Sequence, residues 1–179
     1  GQFDVEIDGD GSWLLHHGGD RAQPVEGKMP KGGYYFDMAS WIYSEPDWRP
    51  PELETIKGEG PITKAEAEFL QERAERLRRE TDKALLATAG KTGIPQVGSI
   101  PDFLCLLYTD KTYVRDLFSI RTELALKSLE TLKTHLADKI DILCIDGFDC
   151  GGQNCELFPP ELFEELFLPF LREQNDWVH

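Results

Sequence analysis

The spacing of hydrophobic and polar residues separates a β-rich start from a helix-rich remainder. Residues 3–7 alternate between apolar and acidic side chains, residues 8–11 supply a glycine-containing turn, and residues 13–15 are apolar again. This pattern predicts a β-hairpin. Residues 18–62 are rich in proline and aromatic side chains. This composition predicts an irregular, loop-rich segment, called the excursion below. Its aromatic side chains either pack against the rest of the fold or line the entrance to a substrate site.

Helical periodicity and continuous apolar runs follow in alternation. Thr63 and Glu66 match a capping box at the start of an amphipathic helix, and Asp110 suits the start of a longer one. The predicted elements are a helix at about 64–82, a strand at 84–89, short helical turns at about 101–108, a long helix at about 111–136, a strand at 140–146 and a helix that begins near Pro160.

The two apolar runs, at 84–89 and 140–146, predict the fold class. Neither run alternates, as expected of strands buried on both faces of a parallel sheet. We therefore expect an α/β fold in which the two strands are parallel neighbours joined by a right-handed crossover, with the hairpin of residues 1–17 outside their sheet. The proline-rich excursion indicates two regions, residues 1–62 and residues 63–179.

The negative charge of the chain disfavours anionic binding partners. Its 179 residues carry a formal net charge of −14, which would repel phosphate backbones and anionic lipids, so neither nucleic acid nor a membrane is expected as a partner. No apolar run approaches the roughly 18 residues that span a bilayer, and the first residues lack a signal-peptide pattern. We expect a cytoplasmic protein.

Cysteine and histidine residues show no spacing typical of a metal site. The four cysteines include no Cys-x-x-Cys pair, so neither a disulfide framework nor a structural zinc site is expected. Cys105 and Cys144 lie in apolar runs and are expected to be buried thiols. His16 and His17 are adjacent and point to opposite faces of a strand, so we expect a solvated pair rather than shared metal ligands.

Polar residues follow the second apolar run and are the main candidates for chemistry. Parallel α/β folds place reactive groups at the carboxyl ends of strands. Asp146 and Asp149 are therefore candidate catalytic carboxylates that orient a substrate or transfer a proton. Gly147, Gln153 and Asn154 are candidate substrate-binding residues. Alternatively, such residues only cap their own backbone in a glycine-rich turn.

Two blocks of sequence carry a resemblance to a known family. The later block comprises Asp146 and Asp149, the turn Gly151-Gly152-Gln153-Asn154, and Pro160-Glu161-Leu162-Phe163-Glu164-Glu165-Leu166 with Pro169. The earlier block comprises Asp102-Phe103-Leu104, Leu107-Tyr108-Thr109-Asp110, Val114 and Leu117-Phe118. Together they resemble the uroporphyrinogen decarboxylase superfamily over about residues 84–179, and more closely its branch of corrinoid-dependent methyltransferases. Two ordered blocks are more specific than one short motif.

The resemblance implies a TIM (β/α)8 barrel, with the hairpin and the excursion packed on it, and a methyl transfer. The methyl group would pass between a corrinoid on a carrier protein, or a small-molecule donor, and a thiol or related acceptor. A complete barrel needs about 250 residues, so we expect this chain to form part of one and to be inactive alone. Zinc and a corrinoid are expected for a full-length member. The family's zinc ligands have no counterpart here, so no metal ligand is assigned in this chain, and neither cofactor is expected to be held by its residues.

Two alternative functions remain open. A tetrapyrrole decarboxylase of the same superfamily is one, although the family's Arg-Gly-Arg motif is absent and an acidic chain disfavours a polyanionic substrate. A non-catalytic domain that binds a corrinoid protein or another subunit is the second. Whatever the function, the open sheet edge of a partial barrel would permit a homodimer.

Overall fold

The computed structural model describes residues 5–39, 46–89, 96–145, 150–151 and 154–179. In chain order the elements are β1 (Glu6–Ile7), β2 (Trp13–His16), a 3-10 turn (His17–Gly19), β3 (Val25–Met29), β4 (Asp37–Met38), α1 (Leu53–Gly58), α2 (Lys64–Glu80), β5 (Leu86–Ala89), α3 (Ile100–Thr109), α4 (Lys111–Leu136), β6 (Ile142–Ile145), α5 (Pro160–Leu166) and α6 (Leu168–Val178). Within these described ranges, no helix has the length and apolar composition needed to cross a membrane.

The chain divides into two compact units. The sheet unit comprises Gly1–Pro50 and Gln96–Cys105, and the helical unit comprises Pro51–Pro95 and Leu106–His179. The division falls within α3, whose first residues belong to the sheet unit and whose last residues belong to the helical unit.

Four short antiparallel strands, in the order β1-β2-β3-β4, form the sheet unit's sheet. The predicted hairpin is confirmed, since Ile7 pairs with Trp13 and the Asp8 N–H donates to Ser12 O at 2.9 Å across the turn. Gly11 has a φ of 84°, a conformation that glycine adopts without strain. The region predicted as loop-rich also contains β3, β4 and α1. The sequence pattern misses these strands because charged and glycine residues interrupt any apolar alternation.

Capping residues begin the two long helices of the helical unit, as predicted. Thr63 Oγ1 accepts from the Glu66 N–H at 3.2 Å, and a Glu66 carboxylate oxygen accepts from the Thr63 N–H at 2.7 Å, which completes a capping box. At the start of α4, Asp110 Oδ1 accepts from the Tyr113 N–H at 3.0 Å. Both helix starts are therefore determined by local sequence.

Helix α4 lies at the centre of the core. Helices α1, α2, α5 and α6 all contact it. Its buried apolar side chains are Val114, Leu117, Phe118, Leu124, Ala125, Leu129, Leu132 and Leu136. These positions recur at helical spacing, so hydrophobic burial along one long helix organises the unit.

The sequence predicts one continuous helix that begins near Pro160, but the structure has two helices in this region. The first ends at Leu166 and the second begins at Leu168. Pro169 explains the break, because a proline has no N–H to donate within the helix and its ring clashes with the preceding turn.

Strands β5 and β6 are parallel neighbours in a two-stranded sheet separate from the hairpin, as predicted. The prediction that these strands are buried on both faces is wrong. Leu86 is 57% exposed and Ile142 is 50% exposed, and exposure alternates along β6. An apolar run has the same pattern whether one face or both faces are covered, so the sequence does not distinguish the two cases.

Candidate functional site

The carboxyl ends of β5 and β6 lie side by side. The aligned pairs run from Leu86 with Ile142 to Ala89 with Ile145, so the two strands end at the same level. The predicted polar loop follows Ile145 directly in the sequence. The predicted site residues that lie outside the described part of the chain are Asp146, Gly147, Asp149 and Gln153. Their roles stay predictions.

Asn154 is the predicted site residue whose position the structure describes. Its side chain is exposed. The chain around it folds back on itself, because Gly151 and Glu156 form an antiparallel bridge and the Leu157 N–H donates to Cys150 O at 2.9 Å. The Asn154 side chain is therefore open to solvent next to this bridge.

Aromatic side chains fix the end of this loop to the core. Phe158 is buried and stacks on Phe167 with ring centroids 5.1 Å apart. Phe167 also packs against Phe163 at 5.7 Å and against Phe118 of α4 at 5.0 Å. Ring pairs of this kind add to the free energy gained from burial. The start of α5 is therefore anchored beside the candidate site.

The two faces of the β5–β6 sheet have different surroundings. On one face, Ala87 and Leu143 pack against a hydrophobic cluster to which α2 and α4 contribute. Side chains alternate between faces along a strand. The residues of the opposite face, all exposed, are Leu86, Thr88, Ile142 and Cys144. Helices therefore cover one face of this small sheet, and the described residues leave the other open.

The cysteines are more accessible than the sequence suggests. Cys105, Cys144 and Cys155 are exposed and Cys150 is half-buried, so the prediction that Cys105 and Cys144 are buried thiols is wrong. The face on which a residue lies decides its burial, whatever the polarity of its neighbours along the chain.

The described side chains do not form a site for the zinc ion that the resemblance implies. Within the described ranges, no three His, Cys, Asp or Glu side chains are grouped closely enough to hold a metal ion. A catalytic zinc site needs three protein ligands and an open position. We therefore derive no chemical step through zinc from these residues.

Asp141, at the amino end of β6, is an acidic residue that the sequence interpretation overlooks. Its carboxylate accepts from the Leu85 N–H at 2.7 Å and pairs with Arg78 at 2.7 Å. Arg78 also donates to Lys139 O at 3.1 Å. The hydrogen bond from Arg78, followed by that from the Leu85 N–H, lowers the pKa of Asp141. Asp141 thus holds the amino ends of both strands together, at the edge opposite to the candidate site.

Two acidic residues of the resembling blocks make structural contacts. Glu165 accepts from Lys111 Nζ at 2.6 Å and also binds Arg115, which joins α5 to the start of α4. The hydrogen bond from Lys111 lowers the pKa of Glu165. In the sheet unit, Ser99 Oγ donates to Asp102 Oδ2 at 2.6 Å at the start of α3. These contacts explain both residues without reference to a substrate.

His16 has a defined environment in the sheet unit. Its side chain is buried, with Nδ1 at 2.8 Å from Gln23 O and Nε2 at 3.1 Å from Glu6 Oε2. His17 is exposed, 3.5 Å from Glu26 Oε2. The prediction of a solvated histidine pair is therefore correct for His17 and wrong for His16, because the Glu6 carboxylate and the Gln23 carbonyl both contact the His16 ring.

Comparisons with protein-family models, with curated proteins and with solved structures find no match for this chain.

Proposed function

We propose that this chain forms part of the barrel wall of a methyltransferase similar to those of the uroporphyrinogen decarboxylase superfamily. The arrangement of β5 and β6 supports the barrel fold, and the methyl transfer rests on the sequence resemblance of residues 84–179. The two strands are parallel and in register, helices cover one face of the sheet, and exposed side chains occupy the other. Strands of a (β/α)8 barrel have this asymmetry, since helices surround them and alternate side chains fill the interior.

The proposed reaction moves a methyl group from a corrinoid, held by a carrier protein, to a thiol or related acceptor. In this proposal Asp146 and Asp149 orient the substrate or hold a proton at the carboxyl ends of the strands. Gly147, Gln153 and Asn154 bind the substrate through backbone and amide groups. Strands β5 and β6 end at the same level. This supports the proposal that these residues lie along one edge of the sheet, because the loops after neighbouring parallel strands open on the same edge.

Titration of the purified 179-residue chain with methylcobalamin tests the proposal. Isothermal titration calorimetry should detect binding of methylcobalamin as a methyl-donor substrate, and Asp146→Asn and Asp149→Asn should each weaken this binding while changing the free energy of unfolding by no more than about 1 kcal/mol. Asp138→Asn is the matched control, because Asp138 is an exposed carboxylate that precedes β6 and pairs only with the neighbouring Lys139 among the described side chains.

Two outcomes would contradict the proposal. Absence of methylcobalamin binding to the folded wild-type chain is the first. A loss of stability in both aspartate variants with unchanged binding is the second, since it would mean that these carboxylates only cap the turn. Uroporphyrin, a tetrapyrrole polycarboxylate, serves as the competing ligand. Tighter binding of uroporphyrin than of methylcobalamin would favour the decarboxylase alternative instead.

A further inference from the structure

A cavity of about 420 Å³ lies in the helical unit between α4, α6 and the start of β6. Its apolar lining includes Leu129, Leu132, Leu136, Ile140, Leu143 and Trp177. Small-molecule sites commonly enclose about 300–1,000 Å³, with mostly apolar walls and few polar groups. Val178, at the rim, is 42% exposed, so the cavity is accessible from solvent.

Lys133, on the wall of this cavity, differs from neighbouring lysines. Lys111, Lys127 and Lys139 each have a carboxylate oxygen at 2.6 Å. Lys133 Nζ lies instead over the ring of Trp177, 5.3 Å from its centroid, and no carboxylate of the described residues pairs with it. In a chain with 33 acidic and 19 basic residues, this ammonium group is available to an anion from outside the protein.

The charges around the cavity define how a ligand would lie. Asp141 contributes a carboxylate on the strand side, already bound by Arg78 and the Leu85 N–H. An anionic group would be repelled there and attracted at Lys133. One ammonium group matches one negative charge, and the net charge of −14 disfavours each further charge on a ligand.

We propose that this cavity binds a small amphiphilic monocarboxylate. The hydrocarbon chain lies on the leucine-lined wall, and the carboxylate accepts a hydrogen bond from Lys133 Nζ beside Trp177. The site lies at the amino ends of the strands, where Ile140 and Asp141 precede β6. The residues proposed for methyl transfer follow the carboxyl ends of the strands, at the opposite edge of this sheet. The inference is therefore independent of the proposed methyl transfer.

Calorimetric titration of the full chain with decanoate, below its micellar concentration, tests this site. Decanoate should bind with one-to-one stoichiometry, and decanol, which has the same chain without the charge, should bind more weakly. Lys133→Met should weaken decanoate binding about tenfold, since a charge-assisted hydrogen bond is lost, and should leave decanol binding within about twofold. Ala137→Trp should abolish binding of both ligands, because Ala137 lines the cavity and a larger side chain fills it.

Lys127→Met is the matched control, because Lys127 lies on the same helix, outside the cavity lining, and pairs with Glu123. It should bind decanoate as the wild type does. Circular dichroism melts of every variant confirm that each is folded before titration. Equal weakening in Lys127→Met and Lys133→Met, or undiminished binding to Ala137→Trp, would overturn the proposal. So would sedimentation showing that a second copy of the chain occupies the cavity and that Ala137→Trp dissociates the dimer.

Discussion

The helical unit buries many more apolar side chains than the described part of the sheet unit does. In the described part of the sheet unit, the buried apolar side chains are Val97 and Phe103 and the buried polar ones are Ser12, His16 and Ser99. Tyr34 is 97% exposed and Ile7 is 66% exposed. In the helical unit, the buried positions are mainly leucine, phenylalanine and alanine along α1 to α6. Hydrophobic burial scales with the apolar area removed from water, so it stabilises the helical unit far more.

Hydrogen bonds contribute a larger share of the stabilising interactions in the sheet unit than in the helical unit. Lys28 bridges Asp8 and Asp10 at 3.1 and 3.2 Å, and His16 bridges Glu6 and Gln23. Each hydrogen bond contributes only about 0.5–1.5 kcal/mol net to stability. A unit that depends on them therefore has a smaller free energy of unfolding than one that depends on apolar burial. One chain thus combines a region held mainly by apolar packing with a region in which polar contacts have a larger share.

The largest expected effect comes from the core of α4. Phe118 is fully buried and contacts the rings of Phe167 and Phe170, so Phe118→Ala should lower the free energy of unfolding by about 3–5 kcal/mol. Urea unfolding followed by far-ultraviolet circular dichroism measures this. Phe69→Ala is the control, because Phe69 is 57% exposed, and its cost should stay below about 1 kcal/mol. An equal loss of unfolding free energy at the two positions would show that burial along α4 is not what stabilises the helical unit.

The next effect should be confined to the sheet unit. His16→Leu leaves the Glu6 carboxylate and the Gln23 carbonyl without the imidazole, at a cost of about 1–3 kcal/mol. Amide hydrogen exchange should accelerate in β2 and β3 and remain unchanged in α4. His17→Leu, at the exposed neighbouring position, should have little effect on either. Faster exchange in α4 would show that the two units do not unfold separately.

A smaller effect is expected at a helix end. Thr63→Ala removes the capping box of α2 and should lower the free energy of unfolding by about 1 kcal/mol. Thr112→Ala is the matched control, because Thr112 is exposed in the first turn of α4 and alanine favours a helix. The urea midpoint should fall for the first variant and stay or rise slightly for the second. A fall in both would mean that the cap is not the cause.

The smallest effect concerns acid sensitivity of the helical unit. The pKa of Asp141 is lowered in the fold, so its contribution to stability is present above the unfolded pKa of about 3.9 and is lost as pH falls through the folded pKa. Asp141→Asn should lower Tm by a few degrees at neutral pH and reduce the loss of Tm on acidification. Asp176→Asn, at an exposed position of α6, should leave both unchanged. Identical acid profiles for wild type and Asp141→Asn would refute this.

Local signals account for the parts of the fold that the sequence predicts well. The caps at Thr63 and Asp110, the bounds of α4 and the pairing of β5 with β6 all agree with the structure. Each depends on residues within a few positions of one another or on the apolar character of a short run. The hairpin formed by β1 and β2 is predicted from local signals of the same kind.

Long-range contacts account for the parts that the sequence does not predict. Ser128 looks like a surface residue of α4, yet it is fully buried, accepts from the Ile62 N–H at 3.0 Å and donates to Leu124 O at 2.9 Å. Gln174 is buried 3.5 Å from Thr122 for the same reason. A buried polar side chain needs hydrogen-bond partners, and here distant segments supply some of them, which no local pattern reveals. For the site, the sequence predicts the strand that leads into Asp146 and Asp149 but not the coupling of Asp141 to Arg78.

The length of α4 has a consequence for how quickly the helical unit folds. Its 26 residues extend about 39 Å, and helices made both before and after it in the chain pack along it. Neither α1 nor α2 has this partner until α4 has formed, so α4 is suited to be the folding nucleus. A change at its fully buried centre, such as Ala125→Gly, should mainly slow folding, whereas a change in the peripheral strand β6 should mainly accelerate unfolding.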